Sequence, residues 1–368
     1  MIESFKSKNI KIFTQDEIID DKEDKVKYHY TSTSGLLSIL KGQTLRFTDA
    51  RFMNDKSELS YVIDFLADFL KRNKGYPECT KAFEKLVLNG QSIEDYKKID
   101  VSVLRFYTDI DVFKNQNLRQ FVFCLSKSKD SLNMWNYYSH SSNYQGYNIG
   151  INIEEFLKTF ESRCSLKIDP FFIYCGKVLY ASNSQKQEIQ HFCNDLESQQ
   201  LSLNSKILHL WGYISTYGLF YKNNAFKHED EYRVVIVVSE DILHSSIKEQ
   251  KKDDKFIIKI SDGELNFATN MEPRNRDESF MKVSEGQLNA MIKTQGKNDG
   301  SSDFRFDFYE RNGVVVPCLS VRFDKNSIKS IMIAPTIDEK LATSSLEEFL
   351  EINGYEAKVS NSKIPIRF

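Results

Sequence analysis

Two spacings of apolar residues alternate along this chain. Recurrence at three and four marks amphipathic helices, and alternation or a short unbroken apolar run marks strands. Lys27 to Thr31 (KYHYT) reads as a short strand rich in aromatics. Ser34 to Lys41 reads as a short helix with an apolar face of Leu36, Leu37, Ile39 and Leu40, ended by Gly42, a residue that tolerates the left-handed cap. Thr44 to Thr48 is a second strand. Leu59, Val62, Ile63, Leu66, Phe69 and Leu70 place a helix over Ser57 to Arg72, opened by Asn54-Asp55-Lys56, with Asp55 and Glu58 spaced as a capping box. Residues 80–120 read as mostly helical and polar. Gln120 to Ser126 (QFVFCLS) is a buried-strand pattern, Ser131 to Tyr138 a helix, and Gly146 to Ile153 (GYNIGINI) a strand.

Residues 186–225 read as a long helical region with Trp211, Ile214, Tyr217 and Phe220 on one face. Glu231 to Val238 (EYRVVIVV) and Phe256 to Ile260 are strands. Residues 262–312, rich in Asn, Gly and charge, read as an insertion or mobile surface segment. Gly313 to Phe323 and Ile328 to Ala334 return to strand. Ser344 to Ile352 reads as a helix with a Ser344…Glu347 capping box and Gly354 at its end, and Ala357 to Phe368 is extended. There is no internal repeat and no low-complexity linker. Strands broken by helices throughout predict one mixed α+β domain over 27–368 after a polar lead-in over 1–26. Helical insertions fall at about 57–118 and 186–225, and the polar one at about 262–312.

Composition narrows the function classes. Lys and Arg number 50 against 52 Asp and Glu, a net charge of −2. That excludes a generally basic nucleic-acid coat and an acidic tail protein. Aromatics at 13% with few Gly (15) and Pro (6) describe a packed chain of 368 residues, not a disordered or fibrous one. The longest purely apolar run, Val234 to Val238, is far short of the roughly 20 residues of a membrane helix. The opening MIESFKSKNIKIF has no apolar stretch of signal-peptide length. The six cysteines are scattered without a CxxC, which reads as reduced core thiols, and the six histidines lack zinc-ligand spacing. The expectation is a cytoplasmic protein with no membrane partner and no metal site.

Several blocks resemble a widespread bacterial family called domain of unknown function 2971: YHYTSTSGLLSIL followed by LRFTDARFMND, then FCLSKSKDSLNMWNYYS, GYNIGI, FKHEDEYRVVI, and the closing SNSKIPIRF with Ser362, Pro365 and Arg367. The start is also similar to the first motif of ADP-ribosyltransferase folds, where a strand carrying H-G-T or a related triplet precedes a small helix ending near a glycine. Here these are His29-Tyr30-Thr31 and Gly42. Those enzymes then place an aromatic residue or a Ser-x-Ser strand in mid-chain and a Glu on a late strand. Here the order is His29, then Ser126/Ser128 and Tyr137/Tyr138, then Glu229/Glu231. Glu229-x-Glu231 resembles the E-x-E of the arginine- or serine-marked subclass. Tyr30 stands where glycine is usual, and a His first motif with an E-x-E last motif mixes two subclasses.

The second resemblance implies an α+β fold with a mixed β-sheet core of ADP-ribosyltransferase-like type and inserted helices. It implies NAD as the bound cofactor and transfer of ADP-ribose to a macromolecular acceptor, nucleic acid or protein. The biological setting would be a bacterial toxin or anti-phage defence effector, restrained by an antitoxin or released by a phage-derived trigger. Breaking the nicotinamide–ribose bond passes through a state resembling an oxocarbenium ion, which a carboxylate stabilises. Glu231 would steady the ribose while Glu229 activates the acceptor. His29 would bond an adenosine-ribose hydroxyl, and Tyr30, Thr31 and Ser126 would line the NAD site. Tyr138 or Trp135 would stack on the nicotinamide ring, and Arg233 would hold the pyrophosphate. The arrangement requires His29 and Glu231 to face one cleft.

Other readings use the same residues. Glu229, Glu231 and Arg233 at strand spacing also fit a solvated face, His29 a satisfied structural histidine, and Trp135, Tyr137 and Tyr138 a core. Asn54-Asp55 fits a helix cap, and Arg367 a partner for an internal carboxylate. A non-catalytic nucleotide- or partner-binding module of a defence system is the alternative. A metal-dependent nuclease drawing on Asp49, Asn54, Asp55 and Glu58 is weaker, because no catalytic Lys stands beside them. No GxGxxG, Walker or GxSxG pattern occurs. Lys248 to Lys255 alternates both charges and makes a poor phosphate track. Residues 262–312, with Arg274, Arg276, Lys293, Lys297, Arg305 and Arg311, are the better stretch for touching an acceptor, if they are not simply a solvated loop.

Overall fold

The computed structural model describes residues 10–13, 25–53, 60–88, 90, 92–94, 118–138, 144–157, 172–180, 182–239 and 304–366. The expected strand at Phe256 to Ile260, the Asn54–Glu58 opening, the Lys248 to Lys255 run, Arg367 and all of the polar segment before Phe304 lie outside these residues. The strands are β1 (Ile10–Phe13), β2 (Val26–Thr31), β3 (Thr44–Asp49), β4 (Leu118–Ser126), β5 (Tyr147–Asn152), β6 (Phe172–Lys177), β7 (Glu231–Ser239), β8 (Phe304–Arg311), β9 (Val314–Arg322), β10 (Ile328–Ile333) and β11 (Lys358–Asn361). The helices are α1 (Thr33–Gly42), α2 (Tyr61–Arg72), α3 (Pro77–Val87), α4 (Leu132–Tyr138), α5 (Ser182–Ser198), α6 (Leu203–Tyr217) and α7 (Glu339–Ile352).

All the strands join one open, mixed sheet, ordered β1-β6-β7-β4-β2-β5-β10-β11, with β3, β9 and β8 branching from β4. Among the described strands β10 and β11 form a parallel ladder, and the other ladders are antiparallel. The fork is at β4. One edge pairs with β7 along nine residues, from Leu118↔Ser239 to Ser126↔Glu231. The other edge is shared: Ser126 meets Tyr28 of β2, while Val122 and Phe121 meet Thr48 and Asp49 of β3. The two branches splay apart from there.

Burial on both faces explains the unbroken apolar runs of β4 and β7. Phe121, Phe123, Leu125, Val234, Ile236 and Val238 enter a core between the branches, closed by Leu36 and Leu40 of α1 and Leu346 and Leu350 of α7. Val122, Val235 and Val237 face the opposite way, into a second core under α2, α3, α5 and α6. A smaller cluster joins Tyr28, Tyr30, Met134, Trp135 and Met332.

The element ends depart from the sequence reading in instructive ways. α1 ends on Gln43 in the left-handed region (φ 46), one residue past the expected Gly42. α7 starts five residues before the expected Ser344, because Asp338 caps it by accepting from the Leu341 N–H at 2.9 Å. The expected long helix over 186–225 is two helices, with Ser202 capping the second. The last part of the expected polar insertion is β8, whose alternating FRFDFYER reads as polar because it lies along only one partner, β9.

Candidate functional site

The acidic pair of the sequence reading does come together, though not as neighbours on one strand. Lys222 is followed by a 3-10 helix, Asn224–Glu229, capped by Asn223, and Asp230 then adopts the left-handed conformation (φ 42) before β7 begins. Asp is one of the few side chains that tolerate that region. The reversal aims the Glu229 and Glu231 carboxylates back at a single amine. Lys222 Nζ donates to Glu229 Oε2 at 2.6 Å and to Glu231 Oε2 at 3.2 Å.

Arg233 closes the group. Its Nε and Nη2 form a bidentate pair with Glu231, both at 2.9 Å, and its Nη1 donates to the Leu219 carbonyl. Tyr180 accepts the Glu231 backbone N–H at 3.0 Å. Tyr138, half-buried at the end of α4, donates its hydroxyl to Glu229 Oε1 at 2.9 Å. Ser126 Oγ donates to the Glu229 carbonyl at 2.8 Å and accepts from Ser128 N–H at 3.1 Å, fixing the β4 end against this turn.

The electrostatics follow from the geometry. Burial works to raise the Glu231 pKa, but the charges of Arg233 and Lys222 and the Arg233 hydrogen bonds outweigh it and hold the carboxyl at about 2. Burial, then the nearby Glu229 and Glu231 charges, push the Tyr138 hydroxyl well above its usual range, so it stays a neutral donor. Tyr180 is raised for the same reasons, burial and Glu231.

His29 is elsewhere. Residues directly opposite in an antiparallel ladder project to the same face, and adjacent residues to opposite faces. Tyr28, Ser126 and Glu231 are opposite one another, so His29 projects from the other face. There its ring lies 4.8 Å from Phe123, and Nδ1 is 3.2 Å from the Cys124 carbonyl, to which it donates. Burial lowers its pKa, partly offset by that bond. The single cleft expected to hold His29 and Glu231 is therefore corrected: the register separates them.

Other expected ligand contacts meet similar physical limits. Arg233 is 0% exposed and committed to Glu231 and Leu219, which leaves no room for the expected pyrophosphate. Trp135 is also 0% exposed, edge-on to Tyr30, with Nε1 donating to Asp130 Oδ1 at 2.8 Å. It has no ring face to offer nicotinamide. Tyr30 is buried, its hydroxyl held between the Ser128 carbonyl and the Ser131 N–H. Ser126 is fully buried, and Thr31 is half-buried opposite Tyr147. Of the ring residues named from sequence, Tyr138 alone combines partial exposure with a bond to the acidic pair. Tyr137 beside it is 59% exposed.

Lys222 and Tyr180 were missed in the sequence. Neither sits in a recognisable motif; Lys222 stands seven residues before Glu229 in a stretch without period. Asp49, the described member of the expected nuclease cluster, is buried and bonded by both Arg51 and Arg119. Among the described residues no group of three or more His, Cys, Asp and Glu is placed to hold a metal ion, and no helix is long and apolar enough to cross a membrane.

Residues 134–234 match the family model described as Protein of unknown function (DUF2971). That stretch contains Tyr138, Tyr180, Lys222, Glu229, Glu231 and Arg233 of the network described above, with Ser126 and Ser128 lying before it. No curated protein and no solved structure gives a significant match to the chain.

Proposed function

We propose, taking as premise that the segment matching DUF2971 is the working part of this chain, that it binds NAD and transfers ADP-ribose to a macromolecule. The observation that carries the reading is the convergence of Glu229 and Glu231 on Lys222 beneath half-buried Tyr138. Glu231 is an anion at every ordinary pH, held in place by Arg233 before any substrate arrives. A fixed anion of this kind suits a transition state that gathers positive charge on ribose. In the transfer, the bond from ribose C1′ to the nicotinamide nitrogen breaks and its electron pair leaves with neutral nicotinamide. The acceptor atom bonds to C1′, and Glu229 takes the acceptor's proton. Tyr138 offers the ring edge nearest the pair. The separation of His29 from Glu231 counts against the arrangement drawn from the resemblance, so this version rests on the acidic pair alone: His29 has no part in it, and Arg233 serves Glu231 rather than a phosphate.

The test is purified protein with radiolabelled NAD and cell lysate, treated afterwards with nuclease or protease. Wild type should label a macromolecule and release nicotinamide, while Glu231→Gln should lose at least 100-fold in rate, on the order expected when a preorganised charge is removed. Tyr138→Phe, which keeps the ring, should fold normally and lose less. In cells, wild type should arrest growth unless an antitoxin or an absent phage trigger restrains it, and Glu231→Gln should not.

A second reading rests on a specific observation: both oxygens of Glu231 and three nitrogens of Arg233 are already bonded inside the protein. Such a closed, neutral network also fits a structural keystone under a non-catalytic nucleotide- or partner-binding module. Absence of label and of released nicotinamide, from protein shown to be folded and supplied with its trigger, would select it.

A further inference from the structure

The network has a rim that the transfer chemistry leaves unused. α4 packs against the 3-10 turn Asn224–Glu229, bringing Tyr138 to Glu229 and, one residue earlier, Tyr137 to His228. The Tyr137 and His228 rings lie 5.1 Å apart, tilted by 37°, and Tyr137 stays 59% exposed. Exposed lysines lie on the same segments: Lys127 and Lys129 shortly before α4, and Lys227 on the turn beside His228. Lys363 is exposed too, and its backbone N–H is bonded to Asp130 in that loop. Two acids stand among them. Asp230 reaches Lys127 at 3.7 Å and accepts from Ser128 Oγ, and Asp130 is bonded by Trp135, Ser362 and the Lys363 N–H. Cations therefore outnumber anions on a rim whose centre is an open aromatic ring.

We propose that this rim binds single-stranded nucleic acid, with an unstacked base resting on Tyr137 and the backbone phosphates on Lys127, Lys129, Lys227 and Lys363. The four exposed lysines favour a polyanion over a protein partner. Single strands combine the two features the rim offers: a π-face on every base and a regular run of phosphates. The inference deepens the transferase reading by naming nucleic acid as acceptor and rests on it for that role; binding itself does not.

The experiment separates the two. Fluorescence anisotropy of a labelled oligothymidylate, and of an RNA of the same length, is measured against full-length protein without NAD. Binding should weaken with salt at a log–log slope of about −2 to −3, from release of counterions at three to four phosphate contacts. Tyr137→Ala should weaken it about 5- to 150-fold, the span of one base–aromatic stack. Replacing Lys127, Lys129 and Lys227 together by Gln should remove most of the salt dependence. No binding at low salt, or binding indifferent to both Tyr137→Ala and the lysine replacements, overturns the rim proposal. If NAD labelling occurs and protease alone removes the label, transfer survives and the nucleic-acid acceptor does not.

Discussion

Glu231 is where the physical chemistry of single residues weighs most. It is buried, yet its carboxyl is held at about 2 against an ordinary value of 4.5. The depression corresponds to about 3 kcal/mol at roughly 1.4 kcal/mol per tenfold change in acidity. Because the folded value lies below the unfolded one, this stability is full above pH 4.5 and is lost as pH falls from there towards 2. Glu231→Gln should cost about 3 kcal/mol at pH 7, since Arg233 would lose its counter-charge while remaining buried. It should also flatten part of the acid limb of a urea-denaturation series run from pH 7 to pH 2.5. An acid limb identical to wild type would show that the carboxylate is not held as described. The same residue marks the boundary of what sequence could reveal. Glu229 and Glu231 were legible as a pair because E-x-E is a local pattern. Their shared partner Lys222 was not, because the left-handed turn at Asp230 that brings it in has no local signature beyond an Asp. Arg233 read as a free cation because nothing in EYRVVIVV says which face will be dry.

At the scale of elements, most of the sheet was readable and its register was not. β4 and β7 announce themselves by apolar runs buried on both faces, β9 and β10 by shorter buried runs, and β2 and β5 by aromatic and alternating patterns. β1 and β8 were missed, β1 being four residues long and β8 lying along β9; β6 was missed although it pairs on both edges, with β1 and β7. Whether His29 shares a face with Glu231 depends on a one-residue choice in how β2 meets β4, and that choice is set by distant packing. Gly150 on β5 shows how closely the strands on either side of it, β2 and β10, are packed. A Cβ there would lie 2.3 Å from Ser330 Oγ of β10 and 3.2 Å from Val26 Cγ1 of β2. Gly150→Ala should therefore force β2 and β10 apart and destabilise the protein by about 1–3 kcal/mol, the usual cost of overpacking. A thermal melt unchanged from wild type would mean that Ser330 simply rotates away and the strands are not pinned by this contact.

At the scale of the molecule, the end of the described chain holds its middle. Beyond β11, Ser362 Oγ and the Lys363 N–H bond the two oxygens of Asp130 at 2.7 and 2.9 Å, and Asp130 also receives the Trp135 indole. Ile364, like Tyr138, packs against the cluster of Tyr28, Tyr30, Met134, Trp135, Met332 and Ala334. Removing residues 362–368 keeps every strand but deletes two of the three donors to a carboxylate that steers α4, leaving it the Trp135 indole on Oδ1. Hydrogen exchange in α4 should quicken and stability should fall by about 1–3 kcal/mol, the range for leaving such an acceptor unsatisfied. Unchanged protection of the α4 amides would show that the tail is ornamental to the site.

This tie also imposes a schedule on synthesis. Asp130 and Lys363 are 233 positions apart in sequence. At about 5–20 residues per second, roughly 10–50 s separate the making of the two on a ribosome. Throughout that interval the nascent chain carries Tyr138, and later Glu229 and Glu231, without the tail that fixes α4 against them. A message broken before codon 362 would yield a chain with the acids in place and the aromatic rim loose.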